Sequence, residues 1–268
     1  MKSFLFPLLL STALLSQDNG NVEIYRVEQE DRLEVYAKNT NIYPVTIEVD
    51  LKIENLTPDK SLPYTTTISA RNNKKIMDLV YDNKEQGWRF SSSFRYYMGN
   101  IFARHNDSFA YRLPYPKGDS YRVTQGFGGE FSHYGELRHA LDMDMPERTP
   151  VYAARGGIVV MMEEGNSIGG ASEDMMPYAN YITIMHDDET FADYSHLRHN
   201  GVNVGLGQKV RMGQLIGYSG ATGFATGPHL HFVVKKAKRD GGFVSIPVRF
   251  TTTKGITELK EGETYIGY

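Results

Sequence analysis

Gly227-Pro228-His229-Leu230-His231-Phe232-Val233-Val234 carries two histidines two residues apart inside a stretch that reads as a strand. Residues at that spacing on a strand share a face. His229 and His231 therefore project side by side, with Leu230 turned to the other side. Two imidazoles on one face suit a metal, or a metal plus a base, although H-x-H alone is a weak pattern. The segments before this one are also β in character and rich in glycine. Pro150-Val151-Tyr152-Ala153-Ala154 runs through Gly156-Gly157 into Ile158-Val159-Val160-Met161, and Tyr181-Ile182-Thr183-Ile184 leads to a turn at Asp187-Asp188-Glu189. Val210 and Leu215-Ile216 mark further strands. Glu163 to Met176 holds Gly165, Gly169 and Gly170 and reads as a surface loop. No long amphipathic helix is written anywhere in this half.

The preceding half, from Asn21 to about Arg112, is β of another kind. Val45, Ile47, Val49, Leu51 and Ile53 alternate with Thr46, Glu48, Asp50 and Lys52, the period-two signature of a half-buried antiparallel strand. Leu33, Val35 and Ala37 repeat it. Turn clusters stand at Asn39-Thr40-Asn41, Thr57-Pro58-Asp59 and Arg71-Asn72-Asn73, and Phe90, Phe94 and Tyr96 supply aromatic strand residues near Trp88. Short strands at this spacing predict an immunoglobulin-like β-sandwich. Nothing in it is arranged for catalysis, so a packing or positioning module is expected. Leu113-Pro114-Tyr115-Pro116-Lys117-Gly118 disfavours helix and central strand alike. The expected organisation is a sandwich over residues 21–112, a linker over 113–120 and a second all-β domain over 121–268.

Composition narrows the chemistry. The 268 residues carry a formal charge of −3 with Lys and Arg dispersed, which argues against nucleic-acid binding. There is no cysteine, so disulfides, thiolate nucleophiles, Cys-type zinc sites and a lipid-bearing N-terminal Cys are excluded. Any metal must be held by His, Asp or Glu. Lys2 followed by the apolar run Phe4 to Leu15 is too short for a spanning helix, which needs about 20 residues. It reads as a signal peptide, residues 1–16, cleaved after Ala13 or Ser16, so the mature protein is expected to be exported.

Two further candidates accompany the histidine pair. Asp142, in Ala140-Leu141-Asp142-Met143-Asp144, is a carboxylate in an apolar strand that must be solvated, paired or metal-bound. Asp144 shares its face and is the rival. His196, in Tyr194-Ser195-His196-Leu197, draws its claim from the company it keeps.

Taken in order, these segments resemble the lysostaphin-type (LytM-like) zinc endopeptidases, which cut peptidoglycan peptides. The likeness spans roughly residues 121–250. It is carried by Gln125-Gly126-Phe127, Ser132-His133, Ala140-Leu141-Asp142, Thr149-Pro150-Val151-Tyr152-Ala153-Ala154, Gly156-Gly157-Ile158-Val159, Tyr194-Ser195-His196-Leu197, Gly213-Gln214-Leu215-Ile216-Gly217, Ser219-Gly220-Ala221-Thr222-Gly223 and Gly227-Pro228-His229-Leu230-His231-Phe232. The resemblance implies a single zinc ion on two His and one Asp, with water in the fourth position. It makes Asp142 and His231 ligands, and His196 and His229 the non-ligand active-site histidines. Three protein ligands and an open position are what catalytic zinc requires.

The remaining ligand is less direct. Many relatives have a His four residues before the Asp, where this chain has Arg138. His139 is three before Asp142, and residues i and i+3 on a strand face opposite ways. A subset of the family instead has an earlier Ser-His, matching Ser132-His133, so His133 is the expected ligand. Two departures stand out. Arg148 replaces a usual Gly and would be strained if that turn needs positive φ, and Met143 replaces a common Phe. The implied activity is hydrolysis of a peptide bond in peptidoglycan cross-links or stems by zinc-bound water, with His196 and His229 as base or proton shuttle and oxyanion stabiliser. Gln125 and Asn180 are readable equally as groove-lining or structural. The competing expectation is a weakly active or inactive relative that binds peptidoglycan and regulates another hydrolase.

Overall fold

The computed structural model describes residues 21–239 and 241–268. The expected signal segment lies outside them. The protein is mostly β, and among the described residues the helices are 3-10 turns at Gly135–Leu137 and Glu173–Tyr178. No helix there is long and apolar enough to cross a membrane. The chain divides into two compact units, the second running Met98–Tyr268.

The first unit holds two sheets. Val22–Glu28, Arg32–Asn39, Asn72–Tyr81 and Leu56–Pro58 form one, with every neighbouring pair antiparallel. Tyr64–Ile68, Val45–Glu54 and Arg89–Met98 form the other. The alternation in Val45–Glu54 does what its period demands: Val45, Ile47, Val49 and Leu51 are buried while Asp50 and Lys52 are exposed. Leu33, Val35 and Ala37 of the first sheet lie in the same apolar core.

The second unit is built on an eleven-stranded sheet. Its central order is Gly157–Glu163, Asn180–Met185, Phe191–Val202, Leu230–Ala237, Leu141–Met143 and Ser120–Gln125, all antiparallel. Phe232, Tyr194, Val234 and Leu141 fill the core beneath it. Burying a side chain such as Phe232 stabilises by roughly 1.5–3 kcal/mol. The loop expected over residues 163–176 is largely exposed, but Gly169–Gly170 pairs in parallel with Gly223–Phe224.

The structure corrects the expected boundary. Residues 98–112 belong to the second unit, not to the first: Ala110–Arg112 runs parallel to Arg249–Thr252, and Tyr111 is fully buried against Phe232 and Phe250. The expected linker is not one either. Leu113 and Tyr115 are buried, the Pro114 carbonyl accepts from Tyr152 N–H at 3.0 Å, and Tyr115 Oη donates to the Tyr265 carbonyl at 2.9 Å. Proline denies the segment regular structure but not burial, and its free carbonyls still find donors.

Arg148 has φ 70°, and its N–H donates to the Ser219 carbonyl at 2.9 Å. An L-residue there strains Cβ against backbone at a cost of about 1–2 kcal/mol. Arg148→Gly is therefore expected to stabilise the protein by about 1 kcal/mol, offset in part by the freer unfolded chain. Urea titration of both forms checks this, and a lower midpoint for the glycine variant would contradict it.

His186 directly follows the strand Asn180–Met185 and is buried, its Nδ1–H donating to the Gly156 carbonyl at 2.9 Å. Burial pushes its imidazole down to about 4 from the ordinary 6.5. Between those values the unfolded chain binds the proton and the folded one does not, so stability falls as pH drops through that window. The loss is on the order of 3 kcal/mol at pH 4 relative to pH 7. His186→Gln shares every other titration, so the wild type should lose stability relative to this variant over that range. Parallel pH dependences would rule the contribution out.

Candidate metal centre

Three neighbouring strands bring the chemistry together. Asp142 and His231 are direct cross-strand partners, and His231 in turn pairs with Ser195. His133 comes from outside the sheet. It sits after the turn that begins at Gly126, with its N–H bonded to the Gly129 carbonyl at 3.0 Å. His133, Asp142 and His231 each offer a ligand atom, all within 4.8 Å of one another. Asp142 Oδ1 lies 2.8 Å from His231 Nδ1 and 3.2 Å from His133 Nε2. Metal–ligand bonds of about 2.0 Å at the tetrahedral angle set ligand atoms about 3.3 Å apart, close to that spacing.

His133 supplies the sharper test of fit. It is fully buried, and its Nδ1 is 2.8 Å from the Gly126 carbonyl. A carbonyl only accepts, so Nδ1 carries the hydrogen and Nε2 keeps its lone pair. That Nε2 is buried without a hydrogen-bond partner. A buried, unpartnered nitrogen aimed at a carboxylate and a second imidazole costs free energy unless something electrophilic joins them. A divalent cation answers the need, and the donor set suits zinc.

Asp142 is held from its other oxygen as well. Gln125 Nε2 donates to Oδ2 at 3.0 Å and to Ser132 Oγ at 2.8 Å, while Gln125 Oε1 accepts from the N–H groups of Phe131 and Ser132 at 3.1 and 3.2 Å. One side chain thus orients the carboxylate and anchors the turn that delivers His133, as outer partners of metal ligands do. A Cβ at Gly129 would stand 2.2 Å from Gln125 Cγ, so only glycine leaves room for it. Burial raises the Asp142 carboxyl, but the adjacent His133 and His231 imidazoles outweigh this and hold it well below the usual carboxylate range.

His196 and His229 flank the cluster, ring centroids 4.6 Å apart, with His196 5.8 Å from the His231 ring. His229 Nε2 is 3.9 Å from Asp142 Oδ1. Their Nδ1 atoms are committed, to the Thr222 carbonyl at 2.8 Å and the Gly227 carbonyl at 2.9 Å. Both rings therefore present Nε2 to the cleft. Burial, followed by the neighbouring His229 and His231, pushes the His196 imidazole down to about 3.

The cleft has two arms that share Ser132, His196, Phe224 and His231. One, of roughly 280 Å³, is bordered by Phe131, Asp144, Thr226 and His229. The other, of roughly 540 Å³, is bordered by Tyr134, Leu137, Met176 and Val233. The remaining candidates fall away from the cluster. His139 Nδ1 bonds to the Ser245 carbonyl at 3.0 Å and its ring packs edge-on to Phe127. Asp144 lines the cleft but is exposed, and Arg138 closes a 3-10 turn. Gln125 and Asn180, left open by the sequence, are both buried behind the site. A buried polar side chain beside a glycine-rich turn is a signal only once the fold shows what it bonds.

Residues 136–241 match the sequence profile of peptidase family M23. That stretch includes Asp142, His196, His229 and His231, and it starts three residues after His133. Peptidoglycan DD-endopeptidase ShyA of Vibrio cholerae is 36% identical over 140 residues, which is 50% of this chain and 30% of that protein. Glycyl-glycine endopeptidase ALE-1 of Staphylococcus capitis is 36% identical over 132 residues, 48% of this chain and 32% of the relative. The chain thus spans less than a third of the length of these curated relatives. The crystal structure of the catalytic domain of the M23 protein EnpA from Enterococcus faecalis aligns at 26% identity and a TM-score of 0.38, covering 51% of this chain and 94% of that one. The profile match, the two relatives and the histidine–aspartate cluster all fall in the second unit, whose residues 136–241 are similar to peptidase family M23.

Proposed function

We propose that the protein is an exported zinc-dependent endopeptidase that hydrolyses peptide bonds in peptidoglycan. The observation that carries this reading is the unpartnered, fully buried His133 Nε2 beside Asp142 and His231, beneath an open cleft lined by Asp142, His231, His196 and His229. His133 Nε2, Asp142 Oδ1 and His231 Nδ1 are the atoms that would hold the ion. When bound, zinc lowers the pKa of a coordinated water to about 7 and polarises a carbonyl. The chain's own contribution is proton handling. With Nδ1–H locked to backbone carbonyls, neutral His196 and His229 each accept a proton at Nε2 and, once charged, donate from the same atom to the leaving nitrogen or to a developing oxyanion. The substrate peptide would run along both arms, its scissile bond over His231.

The named activities of ShyA and ALE-1 support peptidoglycan as the substrate. Export agrees with that substrate and with the Lys2 and Phe4 to Leu15 segment. The first unit serves as an immunoglobulin-like positioning module, a reading supported by two sheets sharing one apolar core. Zinc analysis of the purified protein, with mass spectrometry of fragments released from defined peptidoglycan, tests the function. Released peptides with about one zinc per chain are expected. Bound zinc with no fragment from any cross-link type would make it a peptidoglycan-binding regulator instead.

A further inference from the structure

His196 does not sit in a regular strand. Asn180 pairs with Leu197 and Tyr181 with Ser195, so His196 is an extra residue, a β-bulge, and its φ is 63°. A histidine in the left-handed region costs energy and persists only when its surroundings enforce it. Bulges of this kind re-aim side chains. The local hydrogen bonds show what enforces this one. The bulge leaves the Leu197 carbonyl to side-chain donors: Thr222 Oγ1 donates to it at 2.6 Å and Asn180 Nδ2 at 3.3 Å. Thr222 Oγ1 also accepts from the Asn180 N–H at 3.0 Å. The Asn180 side chain is clamped in turn, with Nδ2 donating to the Asn166 carbonyl at 2.8 Å and Oδ1 accepting from Asn166 N–H at 3.0 Å. Asn180 is fully buried and Thr222 nearly so. The same Thr222 offers its carbonyl to His196 Nδ1 at 2.8 Å.

From this we infer that Thr222 and Asn180 are positioning residues for His196: their side chains hold the strained bulge open, and the Thr222 carbonyl fixes the ring so that Nε2 faces the cleft. One residue thus controls both the backbone that carries the imidazole and the tautomer it presents. The inference rests on the proposed hydrolytic role of His196 but predicts a state of the ring that exists without turnover.

Thr222→Val removes the hydroxyl at nearly constant volume, and Thr222→Ser keeps it. With zinc content and thermal midpoint measured alongside, Thr222→Val should lower kcat roughly 10–100-fold, the order expected from misplacing a reacting group, with KM little changed. Thr222→Ser should restore most of the rate. In a His196→Ala background the valine change should have almost no further effect, because residues acting through one another are non-additive. A full multiplicative loss in that background would overturn the proposal, as would a rate in Thr222→Val equal to wild type. Nitrogen-15 NMR of the imidazoles adds a readout independent of catalysis. A protonated, slowly exchanging His196 Nδ1 is expected in wild type and Thr222→Ser, and a tautomer mixture or fast exchange in Thr222→Val. If no peptidoglycan is cleaved at all, the functional reading fails while the NMR result still decides the positioning. An unchanged His196 signal in Thr222→Val would refute it.

Discussion

His133→Ala is expected to abolish zinc binding and, with it, all peptidoglycan cleavage, whereas His139→Ala keeps both. His133 brings a fully buried Nε2 with no other partner to within 3.2 Å of Asp142, while His139 spends its Nδ1 on Ser245. Removing one of three protein ligands should weaken the metal by more than the roughly 10–100-fold typical of losing an outer partner. Elemental analysis after dialysis against a weak chelator measures this directly. The measurement matters because His133 lies just before the stretch that the family profile matches, so its assignment depends on the geometry of this chain. Zinc retained by His133→Ala and lost by His139→Ala would reverse it.

His196→Ala and His229→Ala should behave in the opposite way, each retaining close to one zinc and the wild-type fold while losing about 10²–10⁴-fold in rate, the usual cost of deleting a general acid or base. Neither ring is in the three-residue cluster, and each has its Nδ1 tied to a backbone carbonyl. Asp142→Ala and His231→Ala should instead lose the metal together with the activity. Single-turnover cleavage of a defined cross-linked peptide at saturating zinc would separate the two groups. A His196→Ala protein that cleaved at the wild-type rate would remove this imidazole from the mechanism, and the interest of its bulge with it.

What the sequence revealed followed from local periodicity. The alternation of Val45, Ile47, Val49 and Leu51 is visible in ten residues and survives folding, because one face must be buried wherever the strand lies. Asp142 likewise reads as a carboxylate in an apolar strand and His231 as one of two histidines on a strand face, and the fold makes them cross-strand partners. Other features depend on partners distant in sequence. Ala110–Arg112 finds its partner at Arg249–Thr252, and nothing near Tyr111 announces it. His133 arises from a turn held by Gln125 rather than from a strand, so strand parity excluded His139 without describing where His133 sits. The His196 bulge is silent for a further reason. Positive φ is usually signalled by Gly or Asn, and Tyr194-Ser195-His196-Leu197 contains neither.

The burial of Tyr111 sets the size of the portable second unit. A truncation beginning at the apparent motif start, near Tyr121, would strip Tyr111, Leu113 and Tyr115 from the core and bare Phe250 and Phe232, the latter the neighbour of His231 on its strand. It would also leave Arg155 without the Tyr111 hydroxyl that accepts from it. The smallest piece that could be moved to another scaffold, fused to a different targeting module or recombined with a relative's first half therefore starts at Met98. Recombination within residues 98–120 would break the core, whereas exchange at the Tyr97–Met98 junction would leave both cores whole.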